Sequence, residues 1–350
     1  MLILFFSDFR YGGSQSIGVS VANELFKSKI PFAILALSNR GAMKYLLDKN
    51  IKIYNLKSER VVYSLFKTLY FFKNKSVKTI FCIQPHLAFL CLFLNLFIKK
   101  KIKIIARETN TSIFNNFRQK NFRVIFEIFL KKIFYKNLHT VIFSSNRLSN
   151  EYNCNKVIIP NFVVKKNING LKKKKLNKIY KKNKFILSIG RLIPQKRFQD
   201  LIFAFNLIKK KIDQNLLIIG EGPEKEKLIK LIKNFKLQKR VKIIKFVSNP
   251  YKYLKNCSIF VLTSAWEGMP NILIQALFCS NKIVSTDCKY GPREILNNGA
   301  YGKLVKIGDY KKISLSILKI INQKKIKIKM KHLNRYDSTY IMPKYINILR

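Results

Sequence analysis

A chain of 350 residues is long enough for two domains that each bury a core, and a hydrophobic content of 48% excludes a disordered chain despite a formal net charge of +52. Six scattered cysteines, with no CxxC pair and no His at ligand spacing, argue against a zinc site or a disulfide framework and for a reducing compartment. Only 13 of the 69 basic residues are Arg, whereas a nucleic-acid binder would draw on Arg for bidentate contacts, so nucleic acid is not an expected partner.

The first half alternates short apolar strands with helical stretches, the pattern of a parallel sheet covered on both faces. Strands are predicted at residues 2–6, 32–36, 79–83, 103–106 and 140–143, and helices from near Gly13, Met43, Leu87 and Asn121. The apolar opening has no basic residue before it and Asp8 after it, so it reads as a buried strand rather than a secretion signal. Gly12-Gly13-Ser14 follows that strand and opens a helix. Paired glycines let backbone N–H groups approach an anion, and a plain tight turn accounts for them equally well. The apolar run 87–98 is shorter than the roughly 20 residues a bilayer span needs and reads as a buried helix. His86, just before it, reads as a helix cap or a satisfied side chain. A break follows Ile159-Pro160-Asn161, and the Lys- and Asn-rich stretch 165–184 reads as a solvated linker or loop.

The strand–helix pattern then restarts. Strands are predicted at 185–190, 215–220, 241–244, 259–264 and over KIVST, with helices over QDLIFAFNLIKKK and KEKLIKLIKNF. GRLIPQKRF (190–198) follows a strand directly. Arg191 offers a planar fork and Lys196 a mobile point charge, and both could converge on one diphosphate; two solvated cations in a Lys-rich chain are the plainer account. GEGPEKEKL (220–228) has Pro and Glu placed for a helix start and reads as structural. EGMPNILIQAL begins with a carboxylate, Glu267, and turns through Gly268 and Pro270 into an apolar helix carrying Gln275. A carboxylate beside N–H groups at a helix start suits a phosphorylated, polyhydroxylated ligand, although Glu267 could merely complement the helix dipole. KIVST and a second turn, GPREIL, come next.

In this order the pieces resemble the retaining glycosyltransferases of family 4, with the GT-B fold, over most of the chain. The carriers are GGSQ (12–15), IPNFV (159–163), GRLIPQK, GEGPEKEKL and EGMPNILIQAL followed by STDCKYGPREIL, whose ending looks like members that build bacterial surface polysaccharides or lipid-linked oligosaccharides. The resemblance implies an α/β chain of two doubly wound Rossmann-like domains facing across a cleft. Residues 1–164 would be the acceptor-side domain and 165–335 the donor domain, with a helix in 336–350 returning to the first domain. It implies that Arg191 and Lys196 bind the donor diphosphate and that Glu267 lies near the transferred sugar. Backbone groups of Gly268, Met269, Pro270 and Asn271 would hold hydroxyls and phosphate, with Gly13 approaching the donor phosphate from the first domain. Gln275 stands where the family usually has a second Glu on the ribose, a weaker acceptor. Glu108, in ARETNTS, stands where many members carry a His; it is expected either beside the reacting sugar as a catalytic residue or paired with Arg107 or a Lys.

The implied activity is transfer of a hexose or N-acetylhexosamine from a nucleotide sugar, UDP-linked by expectation, to a lipid-linked or surface glycan. No Asp-x-Asp occurs in the chain, so no metal and no cofactor are expected. The implied location is cytoplasmic, peripheral at the inner face of the cytoplasmic membrane, where the basic surface would attract acidic headgroups. Lys with abundant Ile, Asn and Phe is also the mixture expected of an AT-rich genome. A nucleotide-sugar epimerase and a degenerate basic protein binding membrane or nucleic acid are the competing readings.

Overall fold

Runs such as LILFF, apolar throughout, and FILSI, apolar but for Ser188, suit strands covered on both faces; both are buried at every position and form the centres of two parallel sheets. The computed structural model describes residues 1–108, 122–176, 184–279 and 282–350. The predicted helix start at Asn121, residues 109–112 of ARETNTS and the middle of the predicted linker lie outside the described residues.

The chain divides into two compact units, Met1–Phe162 with Arg335–Arg350, and Val163–Asn334. In the first, β1 (Leu2–Phe6), β2 (Phe32–Ala36), β3 (Ile53–Asn55), β4 (Thr79–Cys82), β5 (Lys103–Glu108), β6 (Thr140–Phe143) and β7 (Lys156–Ile158) pair in the order 3-2-1-4-5-6-7, every pairing parallel. Its main helices are α1 (Gly13–Lys27), α2 (Leu65–Asn74), α3 (Pro85–Asn95) and α4 (Phe122–Lys136). In the second unit β8 (Phe185–Ile189), β9 (Asn215–Ile219), β10 (Val241–Ile244), β11 (Ile259–Leu262), β12 (Lys282–Thr286) and β13 (Lys303–Val305) pair in the order 10-9-8-11-12-13, again in parallel. Helices α5 (Phe198–Ile208), α6 (Lys225–Asn234), α7 (Asn271–Phe278) and α8 (Tyr310–Ile321) flank it, and Leu201, Phe205, Ile218, Val261, Ile313 and Ile317 knit helices and sheet into one core. Both units are doubly wound Rossmann-like domains, as the GT-B resemblance implies.

Three strands were not predicted: β3, β7 and β13. Each is three residues long and partly exposed, so none has an apolar run to mark it. Helix α2 also escaped, because Phe66 and Tyr70 lie outward and blur its amphipathic pattern. Near Met43 the chain forms a 3-10 turn, Ala42–Leu46, rather than an α-helix. Within the stretch predicted as a linker, Lys165–Leu171 is helical and anchored by the buried Ile168.

The helix Ser338–Leu349 belongs to the first unit and packs beside α1. Its N-terminus is capped by Asp337, which accepts from Thr339 N at 3.2 Å. Tyr345 is fully buried against Phe81 and Phe162, with ring centroids 5.8 and 6.1 Å away, and its hydroxyl accepts from Arg107 Nε at 2.9 Å. Arg107 also donates to Asn161 of the IPNFV motif. Tyr345→Phe, which leaves the Arg107 Nε donor unmatched, is expected to cost about 1–3 kcal/mol in urea unfolding, and Tyr345→Ala about 3–5 kcal/mol through the cavity added.

Candidate active site

In a doubly wound sheet, neighbouring strands whose connections leave in opposite directions open a crevice at their carboxyl ends. In the second unit those strands are β8 and β11. GRLIPQK continues from β8 and SAWEGMP from β11, so topology alone brings the two motifs to one crevice. The loops are then stitched together: Ala265 N donates to Gln195 O at 2.8 Å, Thr263 Oγ1 to Lys196 O at 2.7 Å and Gln195 Nε2 to Trp266 O at 2.7 Å.

At the centre, Lys196 Nζ donates to Glu267 Oε1, and Ser264 Oγ donates to the same oxygen at 2.7 Å. The two charged side chains are 14% and 9% exposed, so the pair is largely desolvated. Removing one member would strand the other charge, at a cost of about 3–5 kcal/mol. Both contacts fall on Oε1. Oε2 has no hydrogen-bond partner among the described residues and so keeps its capacity to accept.

The turn after Glu267 is shaped by its neighbours. Gly291 has φ +86°, and a Cβ there would lie 2.6 Å from Gly268 O and 2.7 Å from Pro270 Cδ. Both the backbone conformation and the missing space demand glycine, so GPREIL is pressed onto GMP. The Asp287–Arg293 ion pair clamps the same segment from beneath its own short helix. Thr286 Oγ1 and Cys288 Sγ donate to Ser264 O at 2.6 and 3.0 Å, tying β12 to the residue that holds Glu267. Burial, and next the Glu267 charge, push the Cys288 thiol from its ordinary 9.0 up to about 12. GEGPE buttresses the other loop: a Cβ on Gly220 would lie 1.9 Å from Gly190 O, and Leu192 exchanges backbone hydrogen bonds of 2.8 and 2.9 Å with Glu221 and Glu224.

Of the residues singled out from the sequence, Lys196 and Glu267 meet directly, and Arg191 is exposed at the start of the same loop. Gly268, Met269 and Pro270 are buried in the turn, while Asn271 and Gln275 are half-buried along α7. The other two lie in the first unit. Gly13 is exposed at the start of α1. Glu108 takes the ion-pair alternative: it is fully buried, 3.4 Å from Lys131 Nζ, and accepts from Tyr135 Oη. Its strand neighbour Arg107 faces the opposite side of the sheet, so it cannot be the partner. His86 is exposed in the first turn of α3 rather than acting as its N-cap, which is Gln84. Sequence reading missed Gln195, Ser264, Thr286, Cys288 and Gly291 as parts of the site. The available signal was the polar residue ending each apolar strand, as in IFVLTS and KIVST.

Residues 170–337 match the family described as glycosyl transferases group 1. The chain is 32% identical over 242 residues to a Campylobacter jejuni protein named N-acetylgalactosamine-N,N'-diacetylbacillosaminyl-diphospho-undecaprenol 4-alpha-N-acetylgalactosaminyltransferase. That match covers 67% of this chain and 64% of the relative, so just under two thirds of the relative's length is spanned. An amylovoran biosynthesis glycosyltransferase of Erwinia amylovora is 25% identical over 86% of this chain and 84% of its own. Among solved structures, an Anabaena protein crystallised with UDP and glucose superposes with a TM-score of 0.80 at 16% identity, covering 99% of this chain and 98% of that one, a likeness of fold.

Two outcomes are expected of the site's own geometry. Gly291→Ala should destabilise the chain by at least about 2 kcal/mol more than Gly299→Ala in urea unfolding, since Gly299 shares a positive φ but meets nothing closer than 3.6 Å. Cys288, whose thiol is held protonated in the fold, favours folding fully below pH 9, and that contribution is lost as pH rises from 9 towards 12. Cys288→Ala should therefore flatten the alkaline fall in stability over that window.

Proposed function

We propose, on the premise that residues 170–337 are a segment of the group 1 glycosyl transferases, that this chain moves a hexose or N-acetylhexosamine from a nucleotide sugar to a lipid-linked or surface glycan acceptor. The observation that carries the proposal is the buried Lys196–Glu267 pair at the β8/β11 crevice, with Glu267 Oε2 open to a hydroxyl. UDP is the nucleotide proposed, supported by its presence in the Anabaena protein, and an undecaprenyl-diphosphate-linked acceptor is supported by the name of the Campylobacter relative.

Glycosyl transfer places positive charge on the sugar and negative charge on the departing diphosphate. Arg191, with a planar fork in solvent, and Lys196, already oriented by Glu267, supply cations for the leaving group without reorganisation. Glu267 Oε2 orients a sugar hydroxyl, and the turn Gly268–Asn271 presents backbone at the helix start. Gly13 offers the same kind of helix start in the first unit. Gln275 serves the ribose as a neutral acceptor. These two cations support a transfer that needs no divalent metal, and the family resemblance supports retention at the anomeric carbon. Glu108, enclosed by Lys131 and Tyr135, is assigned a structural role. Among the described residues no helix is long and apolar enough to cross a membrane; the access proposed to a lipid-linked acceptor is peripheral.

A thermal-shift screen against nucleotide sugars should show stabilisation by a UDP sugar that survives EDTA. Arg191→Ala should lower transfer by about a hundredfold or more with the unfolding midpoint retained, and Glu267→Gln, which keeps an acceptor for Lys196 but not its counter-charge, should lower transfer at least as much with some loss of stability. Gln275→Glu should tighten nucleotide binding roughly fivefold. Full transfer by both single variants, or turnover of the donor to an isomeric sugar without any acceptor, would overturn the reading.

A further inference from the structure

Helices α2, α3 and α4 connect β3 to β4, β4 to β5 and β5 to β6, steps that all run towards the same edge of the first unit's sheet. Right-handed crossovers therefore place the three side by side on one face. The packing agrees: α2 lies against α3, and Phe89 of α3 meets Phe134 and Tyr135 of α4 at 5.0 and 6.1 Å. Each helix buries its inner side, for example Phe71 and Phe72 of α2 and Leu87 and Leu94 of α3. Yet each also carries an apolar pair four residues apart on its outer side. Phe66 (86% exposed) and Tyr70 (72%) stand on α2, Phe93 and Phe97 on α3 with its continuation, and Phe129 and Ile133 on α4. Soluble surfaces rarely assemble so many large apolar side chains on adjoining helices without a partner.

The exposed charge beside these side chains is mainly basic. From residue 61 to 107 the chain has nine Lys and Arg and no Asp or Glu. Lys67, Lys73, Lys99, Lys100, Lys101 and Lys132 are exposed among or beside the apolar pairs. Next to Tyr63, an open hollow of about 380 Å³ is lined by Lys57, Arg60 and Lys67 together with Ser58 and Glu59, and Glu59 is already engaged by Arg40 at 2.6 Å. Tyr63 itself is exposed, with the Arg60 guanidinium 6.0 Å from its ring.

We infer that the outer face of α2, α3 and α4 docks on an anionic lipid bilayer. The apolar pairs would enter the headgroup–acyl boundary, and the flanking lysines would meet lipid phosphates, with the basic hollow beside Tyr63 taking one of them. A second copy of this chain is disfavoured as the occupant, because the isologous contact would bring the exposed lysines of two basic faces together. Nucleic acid is disfavoured because six outward hydrophobic side chains gain nothing from a phosphate backbone. The hollow follows the carboxyl end of β3, so a bilayer on this face lies next to the strand ends where open α/β sheets take ligands. The inference rests on the proposed peripheral location and supplies the surface for it.

The test is flotation of the full chain with vesicles of phosphatidylcholine alone or with 30% phosphatidylglycerol, in the absence of any sugar substrate, so that its failure is separate from failure of the transferase reading. Binding to the anionic vesicles alone is expected, weakening with salt. Lys99→Glu/Lys100→Glu/Lys101→Glu should lower the partition coefficient by a hundredfold or more, since each juxtamembrane cation contributes roughly fivefold. Phe66→Ser/Phe97→Ser should lower it about tenfold or more, even at low salt. The control Lys230→Glu/Lys233→Glu/Lys239→Glu, on exposed lysines in and just beyond α6, should bind within about threefold of wild type. The urea-unfolding midpoint should be unchanged in all three variants, which reports that they fold. No binding to anionic vesicles, equal losses in the control, or dimerisation or RNA binding that depends on these same residues while vesicle binding does not, would overturn the inference.

Discussion

The desolvated contact between Lys196 and Glu267 is the constraint around which the second unit's crevice is arranged. It joins residues 71 apart in sequence, and it can form only because β8 and β11 are neighbours whose following loops leave at the same edge. An ion pair this buried gives little net stability by itself, since desolvation offsets most of the Coulomb gain. Its value is positional. One carboxylate oxygen is saturated by Lys196 and Ser264, so the carboxylate and the ammonium are both held in a fixed orientation.

That fixed direction depends on packing with no slack. The GMP turn cannot drift because Gly291 lies in contact with it, and the Arg191 loop cannot drift because Gly220 abuts Gly190. Hydroxyl and thiol groups at the strand ends satisfy the carbonyls that the loops leave behind, with Thr286 and Cys288 both on Ser264 O. These contacts are individually modest. Together they remove the freedom that a loop of this composition would otherwise have, and a preorganised polar site is the physical requirement for stabilising charge that develops only in a transition state.

The first unit shows how strand alternation distributes charge. Arg107 and Glu108 are adjacent on β5, yet one joins Tyr345 of the C-terminal helix and Asn161, while the other joins Lys131 and Tyr135 of α4. Glu108 is thus matched by Lys131 on one face, while Arg107 on the other is held by neutral acceptors, with its Nη1 left without a hydrogen-bond partner among the described residues. The α4 side of that same sheet carries, on the outward surfaces of its helices, exposed apolar pairs and lysines. Burial within and exposure without are set by one topology, the succession of right-handed crossovers towards one edge.

By itself, the sequence determined the features that depend on local pattern. Runs of apolar residues became central strands, the restart near residue 185 marked the second sheet, and the order of the GRLIPQK and EGMP motifs pointed to glycosyl transferases, whose group 1 model residues 170–337 match. It left short edge strands such as β7 and β13 unmarked, because three half-exposed residues carry no periodicity, and it left α2 unmarked because an outward aromatic pair mimics a buried face. Only the tertiary structure decided which charges meet. Lys196 could as well have been a solvated cation, and Glu108 could as well have lain open beside a substrate. What settled each was which strand ends are neighbours and which face of the sheet a side chain takes. Those are properties of non-local pairing, and no window along the chain contains them.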